Sequence, residues 1–155
     1  MSDAVDRFGR AAEERGLRLE IRRFPSGTRT APDAARAVGC EVGQIVKSLV
    51  FMADDEPLLA LTSGANRADT AKLAALRGVG EVRRATPEEA RAATGFAIGG
   101  TPPFGFPGPV RVVMDRDLLG YEEVWAAAGT PDSVFRITPM ELREAAGAEA
   151  VDLRE

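Results

Sequence analysis

The sequence contains no histidine and only one cysteine, Cys40. Without histidine the chain has no Ser-His-Asp triad, no Cys-His dyad and no histidine-rich zinc site. A single cysteine excludes an internal disulfide bond and a cysteine-rich metal site. Any hydrolytic chemistry must therefore use lysine, carboxylates, hydroxyls, backbone amides, ordered water or a group of the substrate itself.

Long apolar segments are also missing. No run approaches the ~18 residues that indicate a membrane span, and the acidic first six residues lack the apolar core of a signal peptide. The 155 residues, 45% hydrophobic and 28% charged, have the length and composition of one globular domain. We therefore expect a cytoplasmic protein that makes no use of a membrane, with one domain spanning residues 1–155.

The net charge of −4 argues against broad nucleic-acid binding, because such binding depends on neutralising phosphates and is typical of basic proteins. Contact with one end of an RNA is still compatible with this charge. The pairs Arg22-Arg23 and Arg83-Arg84 are candidates for a local basic patch, although such pairs are more often simply solvated surface.

Periodicity and capping residues predict helices and strands in mixed order. Three helices begin at Thr30, Thr86 and Thr138, each with a proline in the first turn and an acidic residue three places on. Asp54-Asp55-Glu56 separates two apolar strands and predicts a hairpin with a solvated turn rather than a metal site, and Pro25-Ser26-Gly27 is predicted to close the first strand. The order favours an α/β or α+β sheet. The other predicted helices span 3–15 and 69–76, and the predicted strands span 17–22, 44–52, 57–62, 110–114, 122–127 and 133–137.

Lysine is rare in this chain: Lys47 and Lys72 stand against eighteen arginines. Lys47 lies in the middle of an apolar strand, where alternation puts its side chain on the same face as Ile45 and Leu49. A lone ammonium on such a face is costly to bury unless it is paired. Either its aliphatic stem lies along the sheet while the amine reaches water, or the amine belongs to a binding site.

The segment Gly99-Gly100-Thr101-Pro102-Pro103-Phe104-Gly105, within a predicted loop at 99–109, is the second unusual feature. Adjacent glycines permit positive φ and a close approach of the backbone, and the two prolines stiffen the rest of the loop. Such a loop can present N–H groups to an anion or a polarised carbonyl, as an oxyanion hole requires. A rigid turn with no chemical role has the same composition.

Together these two segments resemble the YbaK/prolyl-tRNA synthetase-associated family. The resemblance covers roughly residues 15–153 and implies a single domain with a mixed, partly barrel-like sheet surrounded by helices. It also implies hydrolysis of the ester that joins a wrong amino acid to tRNA, with cysteine or alanine on tRNA-Pro as the expected substrates. The matching segments are Thr30-Ala31 with Ala34-Ala35 and Val38-Gly39, Gly43-Gln44-Ile45-Val46-Lys47-Ser48-Leu49-Val50-Phe51, Ser63-Gly64-Ala65-Asn66-Arg67, Thr86-Pro87-Glu88-Glu89, Thr94-Gly95, Gly99 to Gly105, Asp115 with Leu118-Leu119, Gly129, and Ile137-Thr138-Pro139-Met140-Glu141-Leu142.

The resemblance also implies roles for particular residues. Lys47 is expected to face the terminal adenosine and its phosphate, and the N–H groups around Gly100 to stabilise the oxyanion, so these two are the expected catalytic residues. No metal or cofactor is expected. The expected partners are the acceptor end of a mischarged tRNA and, as a further candidate, prolyl-tRNA synthetase, and the chain is expected to be a monomer or a weak homodimer. The expected substrate-binding residues are Thr30, Ser63, Gly64, Asn66, Gly99, Thr101, Pro102, Pro103, Gly105, Asp115 and Gly129.

One position departs from the family pattern. Phe106 stands where many relatives have histidine after the final glycine of the loop. If that histidine binds RNA or selects the amino acid, the substrate preference of this chain differs from theirs. Cys40, Met52 and Phe104 are candidates for the walls of an amino-acid pocket, and plain core is the alternative for each.

Two other functions are compatible with the sequence. The first is a non-catalytic module that binds aminoacyl-tRNA or a synthetase, which would retain tRNA affinity without turnover. The second places the site at Asp115 and Asp117, as a metal-binding pair for phosphoester chemistry. Against this second function, Asp115 is also well placed to cap a short turn at 116–119.

Overall fold

The computed structural model describes residues 3–25, 27–28 and 30–155, and within them helices and strands alternate in mixed order. This confirms the predicted mixed α/β class, although the strands form two separate sheets rather than a closed barrel. The α-helices are α1 (Asp3–Glu14), α2 (Ala31–Val38), α3 (Thr70–Arg77), α4 (Pro87–Thr94) and α5 (Pro139–Ala146), and two 3₁₀ helices span Val42–Gln44 and Arg116–Gly120. The strands are β1 (Ile21–Arg23), β2 (Val46–Ala53), β3 (Glu56–Ser63), β4 (Val82–Arg84), β5 (Arg111–Asp115), β6 (Val124–Ala127), β7 (Ser133–Ile137) and β8 (Glu149–Val151).

The larger sheet has the strand order β4-β2-β3-β5-β8. Strands β2 and β3 form the predicted hairpin, with Lys47 opposite Thr62 and Val46 opposite Ser63. Strands β5 and β8 are added in parallel to β3. On its other side β2 pairs with β4 only over Phe51 to Ala53. The preceding half of β2 therefore presents an edge that no strand covers within the described residues.

The smaller sheet has the order β1-β7-β6 and is antiparallel throughout. A single parallel bridge between Ile45 and Trp125 joins it to the start of β2. The main hydrophobic core draws on both sheets and on α1. Within it the Phe8 ring lies 5.0 Å from the ring of Phe104 and 4.8 Å from that of Phe135, measured between centroids. Helix α1 is thereby packed against the glycine-rich loop.

The three predicted threonine caps are confirmed: the side chains of Thr30, Thr86 and Thr138 each accept an N–H from the residue three places further on. The reciprocal bond, from the cap N–H to the acidic side chain, closes a full capping box at Thr86 with Glu89. At Thr138 the hydroxyl donates to the Glu141 carboxylate instead. The local pattern therefore located the helix starts correctly but predicted more reciprocal bonding than the structure contains.

Strand boundaries required more correction. The strand predicted at 17–22 is only Ile21–Arg23, because these are the residues that pair with β7, although Leu17 and Leu19 still pack against the main core. The short strands β4 and β8 were not predicted, since three residues carry little periodicity. The predicted turn at 25–27 includes Ser26, which lies outside the described residues. No helix in the described part of the chain is both long and apolar enough to cross a membrane.

Candidate functional site

A cavity of about 410 Å³ lies where the open edge of β2 meets the smaller sheet. Its volume falls within the ~300–1,000 Å³ that is usual for small-molecule sites. Five of the residues expected at the site line it, namely Thr30, Lys47, Gly64, Gly99 and Thr101. The remaining lining residues are Thr28, Ala31, Pro32, Ala34, Ile45, Val46, Ser48, Leu49, Val50, Arg84, Ile98, Trp125, Ala126, Ala127 and Val134.

Lys47 is half-buried on β2, and its Nζ donates to the backbone carbonyl of Asn66 at 2.5 Å. Burial lowers the pKa of the Lys47 ammonium, the nearby Arg67 and Arg84 guanidinium groups lower it further, and Asp115 opposes them. The ammonium is therefore fixed by a carbonyl rather than simply extended into water, as the first interpretation of this lysine required.

Three of the expected substrate-binding residues lie behind Lys47 rather than in the cavity wall. The Asn66 side-chain amide donates to Asp115 at 2.8 Å, and the Ser63 N–H donates to the same carboxylate at 3.1 Å. Asp115 is only 1% exposed, and its other oxygen accepts the N–H of Asp117, which confirms that it caps the adjoining 3₁₀ turn. These three residues support the site, and the structure does not place them where a substrate would touch them.

The alternative of a metal pair does not fit this arrangement. Asn66 Nδ2 donates at 2.8 Å both to Asp115 and to Asp117, so an amide donor occupies the position between the two carboxylates. Within the described residues no group of three or more His, Cys, Asp or Glu side chains is arranged to hold a metal ion.

The glycine-rich loop reaches the cavity through Gly99 and Thr101, on either side of Gly100. The N–H of Gly100 already donates to the Ala97 carbonyl at 3.1 Å, which corrects the expectation that it is free to act on a substrate. By contrast, the backbone N–H groups of Gly99 and Thr101 have no acceptor among the described residues. The loop amides available to a polarised carbonyl are thus those of Gly99, which was itself expected at the site, and Thr101.

The other members of the expected loop set pack against the body of the protein. Pro102 and Pro103 are buried and do not line the cavity. A Cβ added to Gly105 would lie 2.9 Å from the Cβ of Ala11, and one added to Gly129 would lie 2.8 Å from the Ala4 carbonyl oxygen. These four positions therefore hold the loops against α1 and the core, which is a structural role.

Several lining residues were not singled out from the sequence. Arg84 was considered only as part of a surface pair, yet it lines the cavity, whereas its neighbour Arg83 is held by Glu89 through two bonds of 2.8 Å. Ser48 also lines the cavity, and its buried hydroxyl is without a hydrogen-bond partner among the described residues. Trp125 forms part of the wall from β6. Two of these residues carried a sequence signal: Ser48 adjoins Lys47 in the matched segment, and Arg84 belongs to a candidate basic patch.

The residues considered as pocket walls belong to the core instead. Phe104 is 2% exposed inside the main core, Met52 packs against the same core, and Cys40 packs beside α2. Phe106 is half-buried, with its ring 6.5 Å from that of Phe96, and does not line the cavity. The departure at Phe106 therefore alters a packing position and not the cavity wall.

The cavity has a definite chemical character. Lys47 and Arg84 are its ionisable side chains among the described residues, and no carboxylate of those residues lines it. Hydroxyls of Thr28, Thr30 and Thr101 and the two free amides supply the remaining polarity, while Ile45 and the β6 and β7 residues form an apolar wall. A mixed α/β fold with this cavity is of the class suited to binding a small, partly apolar group attached to an anionic one.

Comparison with known proteins agrees with that class. A family model described as the aminoacyl-tRNA editing domain matches residues 25–145, and the chain belongs to this family. Proline–tRNA ligase of Nitratidesulfovibrio vulgaris (strain DP4) is 34% identical over 128 residues, which are 83% of this chain and 22% of the ligase. The uncharacterized protein YwhH of Bacillus subtilis (strain 168) is 31% identical over 126 residues, which are 81% of this chain and 80% of YwhH.

Solved structures support the same relationship. One of them, described as a proposed trans-editing enzyme for prolyl tRNA synthetase, is 51% identical and superimposes with a TM-score of 0.93, covering 100% of this chain and 99% of that one. The hypothetical protein APE2540 is 29% identical, with a TM-score of 0.88 over 96% of this chain and 99% of the other. The chain thus spans almost the whole length of these two solved chains and about a fifth of the length of the proline–tRNA ligases.

Proposed function

We propose that this protein is a trans-editing aminoacyl-tRNA deacylase, acting in the cytoplasm on a small amino acid such as cysteine or alanine esterified to tRNA-Pro. The observation that carries the proposal is the cavity itself: Lys47 lines it together with an apolar wall and with Gly99 and Thr101, whose backbone N–H groups have no acceptor among the described residues. Its size suits an aminoacyl group and part of the terminal ribose, while the rest of the tRNA stays outside. Membership of the editing family supports the same substrate class.

The aminoacyl group has a natural orientation in this cavity. Its carbonyl oxygen points to the N–H groups of Gly99 and Thr101, which have no other acceptor in the part of the chain that the structure describes. Its side chain lies against the apolar wall on the β6 side, and the ribose and phosphate lie toward Lys47 and Arg84. Amides aimed in advance at a developing oxyanion contribute about 3–4 kcal/mol per donor to the stability of the transition state.

Hydrolysis in this site needs no side-chain base. Water attacks the ester carbonyl carbon, the tetrahedral oxyanion forms at the loop amides, and its collapse expels the ribose oxygen, which takes up a proton. Since the described lining has no carboxylate and the chain has no histidine, ordered water or the adjacent ribose hydroxyl carries that proton. An aminoacyl ester is already activated, so positioning and oxyanion stabilisation carry the reaction.

A separate hydrolysis step that selects amino acids by size has a physical purpose. A synthetase pocket separates amino acids that differ by one methylene by only about 1–3 kcal/mol. A separate cavity that accepts the smaller amino acid and excludes proline adds discrimination. Prolyl-tRNA synthetase is the partner that such a role would favour, with the protein itself a monomer or a weak homodimer.

The test is a panel of tRNAs charged with Ala, Cys, Ser, Thr or Pro, with ester loss measured over time at micromolar protein. We expect at least one non-prolyl ester to be hydrolysed and Pro-tRNA to be spared, with no loss of activity in EDTA. If every ester survives although the tRNA binds, the protein is the non-catalytic module instead. Activity that EDTA abolishes would favour a metal mechanism.

A further inference from the structure

A hydrogen-bonded cluster lies directly behind Lys47, and no part of it touches the cavity. Asn66 lies at its centre: the side-chain amide donates to Asp115 and Asp117, while the backbone carbonyl accepts the Lys47 ammonium. We propose that Asn66, held by these two carboxylates and braced by Arg154, is a positioning residue that fixes the Lys47 ammonium at the cavity. The expected effect on turnover rests on the proposed function, whereas the expected effect on the position of the Lys47 ammonium does not.

The cluster is rigid where it meets Asn66. Asp115 is 1% exposed and accepts three N–H groups, from Asn66, Ser63 and Asp117. Asn66 also donates its own backbone N–H to the Ser63 carbonyl at 2.9 Å. A buried carboxylate that accepts several hydrogen bonds is held in place, because leaving one of its donors unpaired is costly. The Asn66 carbonyl is thus presented to Lys47 in a defined direction.

The C-terminal segment closes the cluster from outside. Arg154 Nη1 donates to Asp117 Oδ2 at 3.0 Å, the same oxygen that accepts the Asn66 amide. The N–H of Glu155 donates to the Arg67 carbonyl at 2.9 Å, which ties down the residue next to Asn66. Residues 146–155 lie beyond the 25–145 range that the editing-domain model matches.

The charges around Lys47 explain why it needs such support. Arg67 and Arg84 repel the ammonium, and Asp115 is the acidic group that attracts it. Asp117 is compensated by Arg154 at 3.0 Å. The hydrogen bond to the Asn66 carbonyl, which the cluster supplies, opposes the repulsion from Arg67 and Arg84 and holds the ammonium beside the cavity.

The direct test uses the fact that the sequence has only two lysines. Lysine labelled with ¹³C gives two sets of side-chain NMR signals, and Lys72→Arg assigns them. We expect Lys47 in the parent protein to show two distinct Hε shifts and restricted motion at Cε, as a fixed methylene does. In Asn66→Ala the two shifts should merge and the motion increase, and Arg154→Ala should show a smaller change in the same direction.

The matched control for Arg154→Ala is Arg83→Ala. Both remove an arginine that is paired with a carboxylate at about 3 Å, with similar side-chain exposures of 53% for Arg154 and 46% for Arg83. Arg83→Ala should leave the Lys47 signals unchanged. A Lys47 side chain that is mobile in the parent, or one that is indifferent to Asn66→Ala, would overturn the proposal whether or not the protein is an enzyme.

Turnover supplies the second test. Asn66→Ala should lower kcat about tenfold with little change in KM, and in a Lys47→Ala background it should have no further effect, because residues that act through one group are not additive. If the losses of kcat caused by the two substitutions multiply in the double variant, Asn66 acts on the substrate independently of Lys47, and the positioning role is refuted. If the parent protein hydrolyses no ester, the proposed function fails while the NMR result still decides this inference.

Discussion

Replacing Gly100 by alanine would insert a methyl group between the glycine-rich loop and the β6–β7 turn. The added Cβ would lie 2.6 Å from Thr130 Cα, 2.8 Å from its carbonyl carbon and 2.9 Å from the Gly129 carbonyl oxygen. All three atoms belong to the backbone, so no side chain can rotate to make room. The loop or the turn has to move.

Overpacking of this kind typically costs about 1–3 kcal/mol. For a chain of this length each kcal/mol lowers the melting temperature by about 2–4 °C, so we expect Gly100→Ala to melt roughly 2–12 °C lower. Since the Gly99 and Thr101 amides move with the loop, ester hydrolysis should fall in parallel. Gly108→Ala is the matched control, because a Cβ there meets no atom within 4 Å and its φ is not positive.

Thermal unfolding by calorimetry and ester loss from a mischarged tRNA are the two measurements, taken on Gly100→Ala, Gly108→Ala and the parent. Gly108→Ala should match the parent in both. An unchanged melting temperature together with lost turnover in Gly100→Ala would contradict our reasoning. That result would assign the oxyanion role to the Gly100 N–H itself, although this N–H donates to the Ala97 carbonyl in the structure.

Three further predictions concern ionisable groups. Lys47→Ala should lower kcat at least about tenfold, equivalent to 1.36 kcal/mol, with little change in melting temperature, whereas Lys72→Arg, which keeps a cation beside Asp152 away from the cavity, should retain activity. Burial and then Arg67 and Arg84 lower the pKa of Lys47 from 10.5, so the rate of ester hydrolysis, after subtraction of the rate without enzyme, should decline before pH 10.5. Lys47→Arg should abolish that decline. A parallel decline in the parent and in Lys47→Arg would refute the assignment. Hydrogen bonds from Arg83 and then from the Thr86 N–H lower the pKa of Glu89 from 4.5 to about 2. The contribution of the Glu89 carboxylate to stability is therefore complete above pH 4.5 and is lost as the pH falls toward 2. The difference in melting temperature between the parent and Glu89→Gln should therefore shrink over that range, and a constant difference would contradict the ion pair.

The sequence was sufficient to predict those structural features that depend on interactions between residues close together in the chain. A threonine hydroxyl reaches an N–H three residues away whatever surrounds the helix, so the starts at Thr30, Thr86 and Thr138 could be predicted from the sequence. The hairpin of β2 and β3 was predictable for the same reason, because two apolar strands separated by a short acidic turn have few other ways to pair. The unusual lysine and glycine segments were also recognisable, and both contribute to the cavity.

The sequence by itself thus determined the mixed fold class, the helix starts and the two segments that meet at the site. Only the tertiary structure decided which atoms face the cavity. Gly100 donates its N–H to Ala97 within a local turn, while the N–H groups of Gly99 and Thr101 have no acceptor among the described residues, and the loop that carries them lies against Thr130. That Asn66 and Asp115 lie behind Lys47 depends on bonds across 49 residues of chain. The packing of the loop against Thr130 and the contact between Asn66 and Asp115 join segments far apart in sequence, and no local pattern encodes them.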